Sequence, residues 1–184
     1  MQLRARNSAG PGPASAFRTG ITLAPPNAPD LSAVTSGDQQ ITVSYTAYTN
    51  STNGGSPISK VEYSTDGGST WVNSGTLANP FVISGLQNGT AYSIKIRASN
   101  AIGVSSASNA ISVTPAGVPT SPRSVSVSAA PAALIVTWAA PTSSNGSTIT
   151  GYTASAYTAL TGGAAVSTCT SSAYTCTIST GLSN

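Results

Sequence analysis

The chain has 184 residues, enough for one or two domains at roughly 150 residues each, and carries two Cys, no His and only 6% charged residues, seven Lys/Arg against four Asp/Glu. Without an imidazole, Ser-His-Asp and Cys-His catalysis are excluded, and so are His-based zinc sites. Two thiols cannot make a four-thiolate site, and the four carboxylates are too scattered for a calcium loop, so no catalytic residue, metal or cofactor is expected.

The apolar residues alternate, and the alternation predicts strands. Over residues 40–47, Ile41, Val43 and Tyr45 are separated by Thr42 and Ser44. Over 90–99, Tyr92, Ile94, Ile96 and Ala98 alternate with Ser93, Lys95 and Arg97. Over 110–114, Ile111 and Val113 flank Ser112, and over 123–128 Val125 and Val127 alternate with serines. Period two in runs of this length marks half-buried antiparallel strands. Gly, Pro, Asn or Asp bounds each run, the pattern of a β-sandwich. No apolar run is long enough for a transmembrane helix, and the first twenty residues lack the apolar core of a signal peptide. The basic pairs Arg4/Arg6 and Lys95/Arg97 each share one strand face. They read as solvated charges, not as the clustered basic surface that nucleic acid requires.

Segments recur at a fixed distance. Asn7-Ser8-Ala9-Gly10 aligns with Asn100-Ala101-Ile102-Gly103, and Ile41-Thr42-Val43-Ser44-Tyr45 with Leu134-Ile135-Val136-Thr137-Trp138, each 93 positions later. Pro29-Asp30-Leu31 aligns with Pro122-Arg123-Ser124 at the same distance, and Gly85-Leu86-Gln87-Asn88 with Gly181-Leu182-Ser183-Asn184 at 96. The expected organisation is the tail of one unit at about 1–24, a complete unit at about 26–115, and the head of a third at about 119–184.

The complete unit resembles a fibronectin type III domain. Ile83-Ser84-Gly85-Leu86-Gln87-Asn88-Gly89-Thr90-Ala91-Tyr92, followed by Ile94, Ile96, Ala98, Asn100 and Gly103, carries the resemblance. It implies an all-β, immunoglobulin-like antiparallel β-sandwich. It also implies a tyrosine corner of Leu86 and Tyr92 at the start of strand F, with the Tyr hydroxyl bonded back to the backbone. The family's core Trp at the end of strand B is matched by Trp138, whereas Tyr45 stands at that place in the complete unit. Tyr92, Ile94, Ile96, Val43, Ile41, Val61, Leu86 and Ile111 are expected to be buried together. Residues 1–24 then supply strands F and G, and 119–184 stop before strand F, as in a fragment of a bacterial surface or secreted array.

Three local features could carry chemistry. Ser64-Thr65-Asp66-Gly67-Gly68-Ser69-Thr70-Trp71 fits the Asp-box pattern of sialidase-like propellers, a hairpin in which Asp caps amides and Gly takes left-handed backbone. It reads as a turn between strands C and C′, with a carbohydrate contact by Trp71 or Tyr63 as the lesser reading. Cys169 and Cys176 are expected to form a disulfide across a hairpin, the alternative being two buried thiols. A disulfide belongs to an oxidising compartment. Residues 51–57, rich in Asn and Gly, fall in the B–C loop, at the end that carries ligands in adhesive relatives.

These readings converge on a non-catalytic extracellular or cell-surface spacer and adhesion module with protein, cell-surface or cell-wall glycan partners. No nucleic-acid partner and no membrane insertion are expected. The alternative is an accessory, carbohydrate-contacting region of a secreted polysaccharide-degrading enzyme. The incomplete outer units are expected to associate head to tail.

Overall fold

The computed structural model describes residues 1–17, 19–20, 22–158 and 163–179. The Gly181-Leu182-Ser183-Asn184 segment therefore lies outside the described residues. Contacts divide the chain into two compact units. One comprises Met1–Thr35, Thr42–Ile83 and Tyr92–Val113; the other comprises Ser36–Ile41, Ser84–Ala91 and Thr114–Asn184. Among the described residues there is no helix, and none that could cross a membrane.

The chain opens with a short hairpin, β1 (Arg6–Asn7) against β2 (Gly10–Pro11). Two sheets follow. The first orders β3 (Leu31–Gly37), β4 (Gln40–Tyr45) and β7 (Phe81–Ser84). The second runs β6 (Val72–Asn73), β5 (Lys60–Ser64), β8 (Tyr92–Ser99) and β9 (Ile111–Val113). In β4 and β8 the alternating residues Ile41, Val43, Ile94 and Ile96 are fully buried, each with 0% exposure. The side-chain period of two puts them all on the inner faces. Phe81 from one sheet meets Tyr63 of the other at a centroid distance of 6.1 Å, and Tyr45 at 6.4 Å edge-on. Tyr45 itself is buried, as a residue filling the family's Trp position should be.

The expected core is narrower than the sequence implied. Ile41, Val43, Val61, Ile94 and Ile96 are buried, but Leu86, Tyr92 and Ile111 are only half-buried. Leu86 lies beyond the end of β7 and Tyr92 opens β8, so each is covered from one side. Ile111 stands on β9, the edge strand of its sheet among the described residues.

A second pair of sheets follows. β10 (Arg123–Ala130), β11 (Ala133–Ala139) and β14 (Thr175–Ile178) form one, and β12 (Tyr152–Ala156) with β13 (Ser167–Ser171) forms the other. Their apolar cluster is Val136, Trp138, Cys176 and Ile178, with Tyr152, Ala154, Ala156 and Cys169 packed against it. Trp138 meets Tyr152 at 5.3 Å, and Tyr152 meets Tyr174 at 5.8 Å. This cluster is thin. Val125 and Val127 on β10 remain 62% and 58% exposed despite their alternating pattern.

Candidate functional site

The candidate site is the β5–β6 loop with the outer face of its sheet. Ser64 ends β5 with its side chain buried. Its hydroxyl donates to Asp66 Oδ1 at 2.6 Å and accepts from the Gly68 N–H at 2.8 Å. Asp66 also accepts from the Thr70 N–H at 2.9 Å and from Thr70 Oγ1 at 2.6 Å. Gly67 and Gly68 take φ of 76° and 103°, so the turn needs residues without a Cβ. The loop is tied to β8 by Gly67 N–H to Ser93 O at 2.9 Å and Ser93 N–H to Thr65 O at 3.1 Å. Asp66 thus spends both oxygens on shaping the turn that the motif predicted.

Trp71 leaves this turn beneath Arg97, the inner member of a charged row with Glu62 and Lys60. The Arg97 guanidinium lies 4.3 Å from a Trp71 ring centroid, a cation–π placement. Arg97 Nε also donates to Glu62 Oε2 at 2.9 Å, and Lys60 Nζ stands 3.0 Å from Glu62 Oε1. Arg97 is therefore held between Glu62 and Trp71, not simply solvated as the strand pattern implied. Burial pushes the Glu62 carboxyl up, but the hydrogen bonds and charges of Arg97 and Lys60 outweigh it and leave Glu62 below its usual value. Hydrogen bonds from Ser64 and Thr70 hold Asp66 far below the ordinary carboxylate range.

Both shifts have the same consequence for stability. A depressed folded-state pKa contributes stability that is complete above the unfolded pKa and is lost as pH falls through the folded value. Those unfolded values are near 3.8 for Asp66 and 4.5 for Glu62. The denaturation midpoint should therefore hold steady at neutral pH and fall below about pH 4.5. Urea titrations of the wild type and of Asp66→Asn at neutral pH and at about pH 2 test this. The variant should lose less on acidification, and equal losses would contradict the role given to Asp66.

The structure does not bring the two expected carbohydrate-contact residues together. Trp71 lies on the outer face with Arg97, whereas Tyr63 points inward to Phe81. Strand alternation separates Tyr63 from Glu62 in this way.

The loop at residues 51–57 is fastened from within. Asn100, buried at the end of β8, donates through Nδ2 to Ala24 O at 2.7 Å and Asn53 O at 2.8 Å. Its Oδ1 accepts from the Ile102 and Gly103 N–H groups at 2.8 and 3.1 Å. Asn27 N–H donates to Thr52 O at 2.9 Å, and a Cβ on Gly54 would meet Ala24 O at 2.1 Å. Asn100 carries this bracket, a role that its place after an alternating strand does not disclose.

At the expected tyrosine corner, the Leu86 N–H donates to Gln39 O at 3.0 Å. Asn88 clamps the same turn, accepting from Gln39 N–H at 2.8 Å and donating to Asp38 Oδ1 at 2.6 Å. Tyr92 pairs with Val113 in the β8–β9 ladder.

Cys169 and Cys176 form a disulfide with Cα atoms 6.1 Å apart. They do not face each other across one ladder. Cys169 pairs with Ala154 in the β12–β13 sheet, and Cys176 pairs with Val136 in the other. The bond staples two sheets. Among the described residues, no group of three His, Cys, Asp or Glu side chains could hold a metal ion.

Residues 24–114 match the fibronectin type III domain family. A Kelch domain-containing protein of Saccharolobus solfataricus is 30% identical over 128 residues, covering 70% of this chain and 17% of that protein. The chain therefore spans less than a fifth of that relative. The crystal structure of the FN1-FN3 domains of chicken CNTN1 aligns with 98% of this chain and 64% of its own, at 22% identity and a TM-score of 0.46. With its family match and its two facing antiparallel sheets, the segment 24–114 is a fibronectin type III domain.

Proposed function

We propose that the chain is a non-catalytic spacer and adhesion segment of an extracellular tandem-repeat protein, with proteins or cell-surface or cell-wall glycans as its partners. The observation that carries this reading is a hydrogen-bond frame that recurs at the repeat distance. Ser15 N–H donates to Leu3 O at 2.8 Å, and Leu3 N–H to Ser15 Oγ at 3.0 Å. At positions 93 higher, Ser108 N–H donates to Ile96 O at 2.9 Å, and Ile96 N–H to Ser108 Oγ at 3.0 Å. Gly12 N–H to Ala5 O likewise corresponds to Ser105 N–H to Ala98 O. The proposed units are about 1–24, 26–115 and 119–184. The disulfide supports an oxidising, extracellular setting.

The second reading, an accessory carbohydrate-contacting region of a secreted polysaccharide-degrading enzyme, rests on half-buried Trp71 beside Arg97. Two measurements separate the readings. Pulled from its ends, the chain should yield with a force peak and a length gain of about 30 nm as residues 24–114 unravel, at about 3.3–3.6 Å each. Smooth extension with no such peak would remove the spacer reading. On a glycan array, wild-type binding confined to storage polysaccharides, with none to cell-surface or cell-wall glycans, that disappears in Trp71→Ala would favour the accessory reading instead.

A further inference from the structure

A pocket of about 290 Å³ opens in the fibronectin type III domain, between the end of β4 and the segment that leads into β7. Tyr45, Tyr48, Asn53, Ile58, Leu77 and Asn79 line it. All of them belong to the continuous stretch Thr42–Ile83 of one compact unit, so the lining is built inside the domain. Tyr45 is buried, Tyr48 is half-buried and Leu77 is 52% exposed, which makes Tyr45 the floor and Leu77 the rim. Among the described residues, no Lys, Arg, Asp or Glu lines the pocket.

The polar groups of this lining are held in place. The Tyr48 ring meets Tyr45 at a centroid distance of 6.5 Å, with the planes inclined at 58°. The Tyr48 hydroxyl donates to Asn27 O at 2.9 Å, and burial pushes its pKa up to about 12, so it stays neutral. Asn79 accepts from the Tyr45 N–H at 3.1 Å and donates through Nδ2 to the Tyr45 carbonyl, so it takes both backbone groups there. Asn53 Oδ1 accepts from the Gly55 N–H at 2.9 Å, which leaves its Nδ2 donors to a ligand.

These features select the ligand. A charged molecule would lose hydration here with no opposite charge to replace it. An extended peptide pairs through main-chain groups, and Asn79 has taken those of Tyr45. A proline-rich peptide needs an elongated aromatic groove, whereas Tyr45 and Tyr48 are inclined as floor and wall. The volume stands at the small end of the about 300–1,000 Å³ of small-molecule sites, enough for a single ring. What fits is an uncharged ring with an apolar face for tyrosine and an oxygen for the Asn53 amide. We propose that this pocket binds one neutral pyranose unit of a cell-surface or cell-wall glycan, its apolar face on Tyr48 and a hydroxyl oxygen accepting from Asn53 Nδ2. The site rests on the glycan-partner part of the adhesion reading, and it is distinct from Trp71, which lies on the outer sheet face with Arg97.

Amide-shift titrations of the 184-residue chain with the methyl glycosides of glucose, galactose, mannose and N-acetylglucosamine test this. At least one glycoside should give saturable shifts centred on Tyr45, Tyr48, Asn53 and Leu77, with a Kd on the order of 1 mM for a ligand of about a dozen non-hydrogen atoms. Glucuronate should give none. Asn53→Asp keeps the acceptor for Gly55 but removes the donor, and should weaken binding at least about tenfold. Leu77→Asp, at the exposed rim, should do the same without touching the core. Trp71→Ala should bind as the wild type does. No saturation by any of these glycosides, shifts centred on Trp71, equal binding of glucuronate, tighter binding of a proline-rich peptide, or unaltered binding in both pocket variants overturns the proposal. Pulling reads unfolding and not sugar, so a force peak without sugar binding removes this site and leaves the spacer reading. Smooth extension with shifts at the pocket removes the spacer reading and leaves the site.

Discussion

Ile96→Ala is expected to destabilise the fibronectin type III domain by about 2–5 kcal/mol, the range for truncating a fully buried aliphatic side chain. Ile96 has no exposure and sits opposite Tyr63 in the β5–β8 ladder. Its backbone is also fixed, since its N–H donates to Ser108 Oγ at 3.0 Å and its carbonyl accepts from Ser108 at 2.9 Å. The backbone cannot readily shift to close the cavity. A domain of ordinary stability has about 5–15 kcal/mol in total, so the loss is a large part of the whole. Amide exchange reads it residue by residue. Protection in β5 and β8 should fall at least about tenfold, since each 1.4 kcal/mol is a factor of about ten. Leu86→Ala should cost less, because Leu86 is only half-buried. Unchanged protection in Ile96→Ala, or a larger loss in Leu86→Ala, would contradict the placement of the core.

The second large effect belongs to the disulfide. Cys169 and Cys176 are 7 positions apart, and closing so short a loop restricts the unfolded chain by about 2.5 kcal/mol on the chain-entropy estimate. Cys176 is also part of the small cluster with Val136, Trp138 and Ile178. Cys176→Ser removes the bond and places a hydroxyl in that cluster, adding roughly 1–3 kcal/mol if it finds no partner. Cys176→Ala also removes the bond and the sulfur but leaves no hydroxyl in the cluster, and should therefore cost less than Cys176→Ser. The thin cluster has little stability in reserve, so the sheets joined by this bond should lose exchange protection before the fibronectin type III domain does. Reduction should raise the intact mass by about 2 Da, one hydrogen per sulfur. Two titratable thiols in protein made under oxidising conditions would contradict the bond.

Much of the strand pattern was legible in the residues. The alternating runs around Ile41–Tyr45 and Tyr92–Ala98 became β4 and β8, and Asp66, Gly67 and Gly68 made the turn their chemistry favours. Local geometry accounts for this, because pleat alternation and left-handed turns are properties of short segments. Other features depend on strands distant in the chain. Arg97 and Glu62 are 35 positions apart, and only the β5–β8 register sets their side chains together. Nothing local marks Arg97 as a lid on Trp71 or Asn100 as the bracket for residues 24 and 53.

The sequence by itself determined the all-β class, the strands β4, β8 and β9 and the candidate cysteine pair. Periodicity, turn residues and spacing are all written along the chain. Tertiary structure alone decided that Cys169 and Cys176 join two different sheets and that Tyr63 and Trp71 face opposite ways. It also decided that Leu86, Tyr92 and Ile111 stay half-covered. Alternation states which residues share a face, but burial depends on what the other elements lay over that face. The half-buried residues stand where that cover ends, at a strand terminus or a sheet edge.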